Sequence, residues 1–210
     1  MESRKDLRKS SINPSTFDRI ERMHPHKMLV WLALIGSTLI FSFLLVAFAY
    51  TRYSRGQGLV FDFPKAFVVS TFMLLLSSFT IKGVVQAFRQ DRLHEVTRQL
   101  GVTLMLGMSF IASQAIGWQQ LLAQNLDVSK AVGASYLYAL SGLHVLHLLV
   151  ALSFLAVLFV QFYRAHRDPV KALILHTNPY QGIKLEIATI LWHFMDVLWF
   201  VLFFYFLFTF

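Results

Sequence analysis

The last twenty residues, LWHFMDVLWFVLFFYFLFTF (191–210), decide how the chain folds. Nearly every side chain is apolar, and a helix of about 20 such residues crosses a bilayer core of about 30 Å. Yet His193 and Asp196 stand inside the run. Ionisable groups in hydrocarbon cost roughly 2.5–3.5 kcal/mol each on insertion scales, so they turn toward protein or water. The segment therefore implies a bundle around it rather than a lone anchor.

The rest of the chain agrees. Of 210 residues, 56% are hydrophobic and 14% charged, against about 25% charged in soluble domains. Phenylalanine is abundant at 21 residues, and cysteine is absent, which excludes disulfides, thiolate metal sites and cysteine nucleophiles. Five proline-free apolar runs, at about 28–50, 66–88, 99–121, 136–163 and 187–209, each suit a spanning helix. They are too long for barrel strands of about 10 residues. The expectation is an all-α polytopic membrane protein: a polar segment 1–27, then a five-helix membrane domain over 28–210. The polar segment has no apolar stretch near Met1, so no cleavable signal peptide is expected. Its residues 15–27 have a weakly amphipathic pattern suited to a membrane surface.

Net charge is +8, and its distribution reads as topology rather than as a nucleic-acid footprint. Fourteen Lys and Arg residues fall on the side of the N-terminal segment, the second-to-third loop and the fourth-to-fifth loop; four fall on the other side. The positive-inside rule then places the N-terminus in the cytoplasm and the C-terminus outside. Lys82, near the inner end of the second run, is expected to snorkel to the headgroups. The longest loop, about 164–186, carries Pro169 and Asn178-Pro179 as turn signals.

The polar residues inside the runs are the candidate functional groups. Glu186, Thr189, His193 and Asp196 fall within about 80° of one another at 100° per residue, one stripe on an apolar helix. His144 and His147, at i and i+3, share a face of the fourth run, and Gln114 lies in the third. Rise per residue puts His147 and Asp196 at similar depth, roughly 14 Å from the inner face, so His147–Asp196 or His144–His193 contacts are candidates. The bland reading is polar glue between helices. Heme ligation, a carboxylate-bridged metal and a proton relay are the alternatives. Trp199, Tyr205 and the phenylalanines are expected as lipid contacts and interface anchors rather than a cofactor cage. Ser135/Ala139 and Gly36 offer small residues for close helix approach. No G-x-S-x-G, H-E-x-x-H or phosphate-binding glycine loop occurs.

The segment KLEIATILWHFMDVLWFVLFFYFLF (184–208) resembles the last helix of cytochrome c oxidase subunit III, through Glu186, Trp192, His193, Phe194, Asp196, Val197 and Trp199. The fourth run is similar to that family's [ST]-G-x-H-x-x-H helix through Ser141, Gly142, His144 and His147. STFMLLLSSFT (70–80) resembles its N-T-L-L-L-L-S-S pattern with Ser70 for Asn, and the third run matches through Gly107, Phe110, Gln114 and Trp118. Two departures stand out. Ser37 aligns where many members carry a membrane-embedded Glu, and Gly117 where many carry another. The five runs correspond to a short bacterial form without the first two of seven helices.

The resemblance implies a non-catalytic accessory subunit of an enzyme complex: subunit III of a proton-pumping heme-copper terminal oxidase. It would sit in the bacterial cytoplasmic membrane and serve aerobic respiration. It implies no redox centre in this chain, heme and copper in partner subunits, and bound phospholipid. The implied partners are subunits I and II, with subunit IV or a respiratory supercomplex beyond them, and membrane lipid. Packing on subunit I and support of proton uptake are the implied roles. A quinol oxidase subunit, a standalone proton-coupled transporter using the Glu186–His193–Asp196 stripe, and a b-type cytochrome are the competing readings.

Overall fold

The computed structural model describes residues 25–55, 64–124, 132–178 and 180–209, so the expectations for residues 1–24 lie outside it. Among the described residues there are helices and no strands: α1 (Pro25–Arg55), α2 (Lys65–Lys82), α3 (Val84–Arg89), α4 (Leu93–Ala123), α5 (Val132–His166), α6 (Pro169–Thr177) and α7 (Tyr180–Thr209). Five spans are long and apolar enough to cross a membrane: α1, α2 with α3, α4, α5 and α7. α1, α4, α5 and α7 overrun their apolar runs by several residues at one end or both, because good helix formers such as Arg, Gln and Glu continue the hydrogen-bonded backbone into the polar layer, while α2 with α3 matches its run to within a residue.

Four of the spans close a ring. α2 packs on α4, α4 on α5, α5 on α7, and α7 back on α2, while α1 lies outside across α5 and α7. α7 is accordingly the most buried span and α1 the least. Contacts at both ends tie α1 down. At one end Lys27 and Arg89 both pair with Glu186. At the other, the Arg52 guanidinium donates to the Thr209 carbonyl and Thr51 meets the Tyr136 hydroxyl at 3.3 Å. The expected alternation of the spans is thereby realised, with the Lys- and Arg-rich loops at the Glu186 end.

Two connections are built locally. Asp91 has φ 59°, a left-handed conformation that Asp tolerates better than most residues. It lets Arg92 N bond Ala87 O and Asp91 N bond Phe88 O, which closes α3 in a Schellman arrangement and reverses the chain into α4. The long fourth-to-fifth loop, read from its prolines as turns, contains α6 instead. Asp168 caps it, its carboxylate accepting from Val170 N at 3.1 Å, and Pro169 supplies the preset φ of the first turn. The hydrogen bond from Lys171 holds the Asp168 carboxyl below the usual carboxylate range, against an opposing contribution from desolvation.

Close approach falls on glycines other than the expected one. A Cβ at Gly36 would meet nothing within 4 Å, and Ala139 is exposed, so neither seats a neighbouring helix. Three glycines of α4 do so instead, each receiving a ring from a different helix. A Cβ at Gly101 would lie 2.9 Å from Phe159 of α5; at Gly107, 2.6 Å from Trp192 of α7; and at Gly117, 2.3 Å from Phe67 of α2. Without a hydrophobic drive between helices in lipid, such fit supplies much of the association energy. Gly117→Ala should therefore cost about 1–3 kcal/mol through overpacking. Gly36→Ala should be neutral or mildly stabilising, because alanine is the better helix former. Thermal unfolding of both variants in detergent checks the contrast.

Candidate functional site

The polar interior is organised by hydroxyls. In a helix each hydroxyl can donate its proton back to a carbonyl one turn earlier and keep lone pairs free. Ser70 and Thr71 both donate to Phe67 O at 2.8 Å, and Ser77 donates to Leu74 O at 2.7 Å. Their oxygens then accept across the interface. Gln114 Nε2 donates to Ser70 at 3.0 Å, Trp199 Nε1 to Thr71 at 3.0 Å and Trp192 Nε1 to Ser77 at 3.0 Å. The same pattern recurs between α4 and α5, where Trp118 Nε1 donates to Ser141 at 3.1 Å while Ser141 donates to Leu137 O. Thr80 and Thr103 meet at 2.7 Å, adding a further link between α2 and α4.

Trp192 and Trp199 are each only 1% exposed, so both are core residues, and Trp199 is not the lipid contact or interface anchor expected of it. Trp199 meets Phe67 and Phe110 edge-on. Tyr205, half-buried, packs edge-on against Phe48. Among the phenylalanines, Phe48, Phe67, Phe110, Phe162 and Phe206 are buried, while Phe43, Phe72, Phe79 and Phe208 are exposed.

The four stripe residues of α7 take separate partners. Glu186 sits at the bundle's end between Lys27 of α1 and Arg89 of α3, with Arg89 at 2.8 Å. Thr189 donates to Leu185 O of its own helix. His193 Nδ1 lies 2.9 Å from Ser78 Oγ of α2 and 3.7 Å from Asp196 Oδ2. Asp196 is buried, and neither of its oxygens has a hydrogen-bond partner among the described residues.

The two histidines of α5 diverge. His144 is wholly buried between Phe110 and Trp199, with neither ring nitrogen hydrogen-bonded among the described residues. His147 Nδ1 lies 2.8 Å from Leu143 O, and its ring meets Phe41 of α1 edge-on. The candidate His147–Asp196 and His144–His193 hydrogen bonds are thus not formed. The reason is angular: three residues along a helix rotate a side chain by about 60° from exact alignment, enough to send His144 inward and His147 toward α1. Phe194 lines the groove between α1 and α7, Ser37 is buried with its hydroxyl unpartnered among the described residues, and Gly142 has open space beside it. Among the described residues no three His, Asp or Glu side chains gather as a metal would require.

Of the acceptors, Ser70 and Ser141 were picked out from the sequence only as parts of family motifs, and Thr71 and Ser77 not as acceptors at all, although hydroxyl pairs inside the apolar run, S-T at 70–71 and S-S at 77–78, are the signal that carried them. Ser77→Ala should leave a buried indole N–H without its acceptor. The expected cost is about 1–2 kcal/mol in a membrane interior. Reversible unfolding in mixed detergent, run as a double-mutant cycle with Trp192→Phe, should return a non-zero coupling; additive effects would remove the bond from the account.

Residues 60–209 match the family profile described as Cytochrome c oxidase subunit III. The cytochrome c oxidase subunit 3 of Bacillus subtilis is 26% identical over 178 residues, covering 82% of this chain and 81% of that protein. The cytochrome bo(3) ubiquinol oxidase subunit 3 of Pseudomonas aeruginosa is 25% identical, covering 82% and 79%. The quinol oxidase subunit 3 of Bacillus subtilis is also 25% identical, covering 82% and 81%. With its five apolar spans, the chain is a multi-pass membrane protein that belongs to the cytochrome c oxidase subunit III family, the third subunit of heme-copper oxidases of either the cytochrome c or the quinol type.

Proposed function

We propose that the chain is the accessory subunit III of a proton-pumping terminal oxidase that takes electrons from cytochrome c. It sits in a bacterial cytoplasmic membrane with its N-terminus inside, packs on subunit I, holds phospholipid and supports proton uptake. Heme and copper belong to subunits I and II, and subunit IV or a supercomplex extends the assembly. The W-H-F-x-D-V-x-W form at 192–199 favours cytochrome c as donor.

One observation carries the packing role. The His193 side chain is 37% exposed, midway along α7, with Asp196 behind it. Ser78 meets one ring nitrogen, and lipid tails offer no hydrogen-bonding group to the other, so an imidazole exposed at that depth calls for a polar neighbour from another chain or a water-filled gap. The tryptophans on either side are locked to α2, which holds this part of α7 at a fixed rotation. The orientation follows from the excess of Lys and Arg at the Glu186 end.

Affinity purification of the tagged chain from membranes should bring down larger heme- and copper-bearing chains, and the complex should consume oxygen with reduced cytochrome c. Turnover with quinol alone would move the reading to the quinol class. A Soret band on the separated chain would replace it with a cytochrome. Asp196→Asn is expected to lower the yield of assembled oxidase while turnover per complex stays near normal. Normal assembly with slowed proton uptake would make the His193–Asp196 pair part of a relay.

A further inference from the structure

The two ring nitrogens of His193 have different surroundings. Nδ1 lies 2.9 Å from Ser78 Oγ of α2 and 3.7 Å from Asp196 Oδ2. Nε2 sits across the ring from these contacts, on a side chain that is partly exposed. A neutral imidazole has one N–H and one lone pair, so the bond made by one nitrogen decides what the other offers. Ser78 can donate or accept. An ionised Asp196 can only accept, and neither of its oxygens has a hydrogen-bond partner among the described residues.

A bare Nδ1 would turn its lone pair toward that carboxylate. An Nδ1–H instead meets the Ser78 oxygen and turns its positive end toward Asp196. Carboxylates orient histidine rings in this way where the far nitrogen has a further contact to make. Nε2 is then an acceptor aimed away from Asp196 at mid-membrane depth. Its position is preset, because Trp192, next to His193, is bonded to Ser77, next to Ser78. Phe79, beside Ser78, and Val197, one turn beyond His193, are both exposed. The surface is thus apolar with a single acceptor in it. Acyl chains match the apolar part and leave the acceptor unmet. A helix of another chain that carries an N–H or O–H at that depth matches both.

We propose that His193 is held as its Nδ1–H tautomer and that Nε2 accepts a hydrogen bond from a donor side chain on a transmembrane helix of a partner chain. The proposal rests on the packing part of the reading above and names the chemistry that the partner brings to it.

The test uses the complex purified through a tag on this chain. A photoreactive residue at Val197 should crosslink to a transmembrane segment of another chain, and that segment should carry a donor side chain within one turn of the crosslink. Partner retained per tagged chain should fall about three- to fifteenfold in His193→Phe, the range of one interhelical hydrogen bond in a membrane. His193→Gln, whose amide oxygen reaches the place of Nε2, should stay within about twofold of the wild type. The nitrogen-15 difference spectrum between histidine-labelled wild-type and His193→Gln complexes should show Nδ1 protonated and Nε2 bare. A ring protonated at Nε2, a crosslink to lipid or detergent alone, a crosslinked segment without a donor, or equal retention in His193→Phe and His193→Gln would each overturn the proposal. A donor-bearing crosslinked chain in a preparation without heme or copper would remove the oxidase reading and leave this one standing. Heme- and copper-bearing chains that co-purify without the crosslink would do the reverse.

Discussion

An indole N–H buried away from water must find an acceptor, and inside a membrane bundle acceptors are scarce. The main-chain carbonyls of a helix are already committed to the i→i−4 ladder. A serine or threonine resolves this by donating to its own helix and presenting a free lone pair to the neighbour. α2 does so at Ser70, Thr71 and Ser77, and α5 at Ser141. The positions of Gln114, Trp192 and Trp199 follow from those hydroxyls. Since α2 carries acceptors for both α4 and α7, it fixes the rotation of two neighbours at once.

The glycines of α4 are the steric counterpart of that constraint. Trp192 reaches Ser77 only by lying across α4 at Gly107, where a methyl group would clash. Phe67, one turn before Thr71, fills the space at Gly117 and also meets the edge of Trp199. Ring, hydroxyl and glycine therefore act together where α2, α4 and α7 meet, while α5 joins α4 through Trp118 on Ser141 and Phe159 at Gly101, and meets α7 through His144 on Trp199. α1 lies outside that arrangement. It is held at its ends, through Lys27 to Glu186 and Arg52 to Thr209, and between them by Phe41 against His147 and Phe48 against Tyr136 and Tyr205.

The number, length and alternation of the spans were legible in the apolar runs, because the bilayer imposes helix length and internal hydrogen bonding directly. The shared face of Glu186, Thr189, His193 and Asp196 was legible as well, since the helical period fixes angle. Their partners were not. Angle says which way a side chain points, while its partner depends on which helix lies there and at what height. Hence one stripe divides into an end clamp at Glu186, a self-bonded Thr189 and a pair at His193 and Asp196. α6 was hidden for a related reason: Pro169 reads as a turn signal and as the first residue of a helix, and the Asp168 cap selects the second.

Three positions at which the resemblance marks a departure from the family pattern, Ser70, Gly117 and Ser37, gain a physical meaning from these units. Ser70 stands where Asn is usual, yet its hydroxyl still accepts from Gln114, so the link between α2 and α4 survives the exchange. Gly117 stands where many members carry Glu, and the ring of Phe67 occupies the space a side chain would need. Ser37, at the other such position, offers a hydroxyl and no carboxylate. Any support of proton uptake from this chain must therefore do without an acid at either place. Asp196 remains as a buried carboxylate, with His193 and Ser78 beside it and the bundle's surface one imidazole away. The imidazole of His193, partly exposed midway along α7 with Asp196 behind it, is thus the point where the bundle offers a polar group to whatever packs against it.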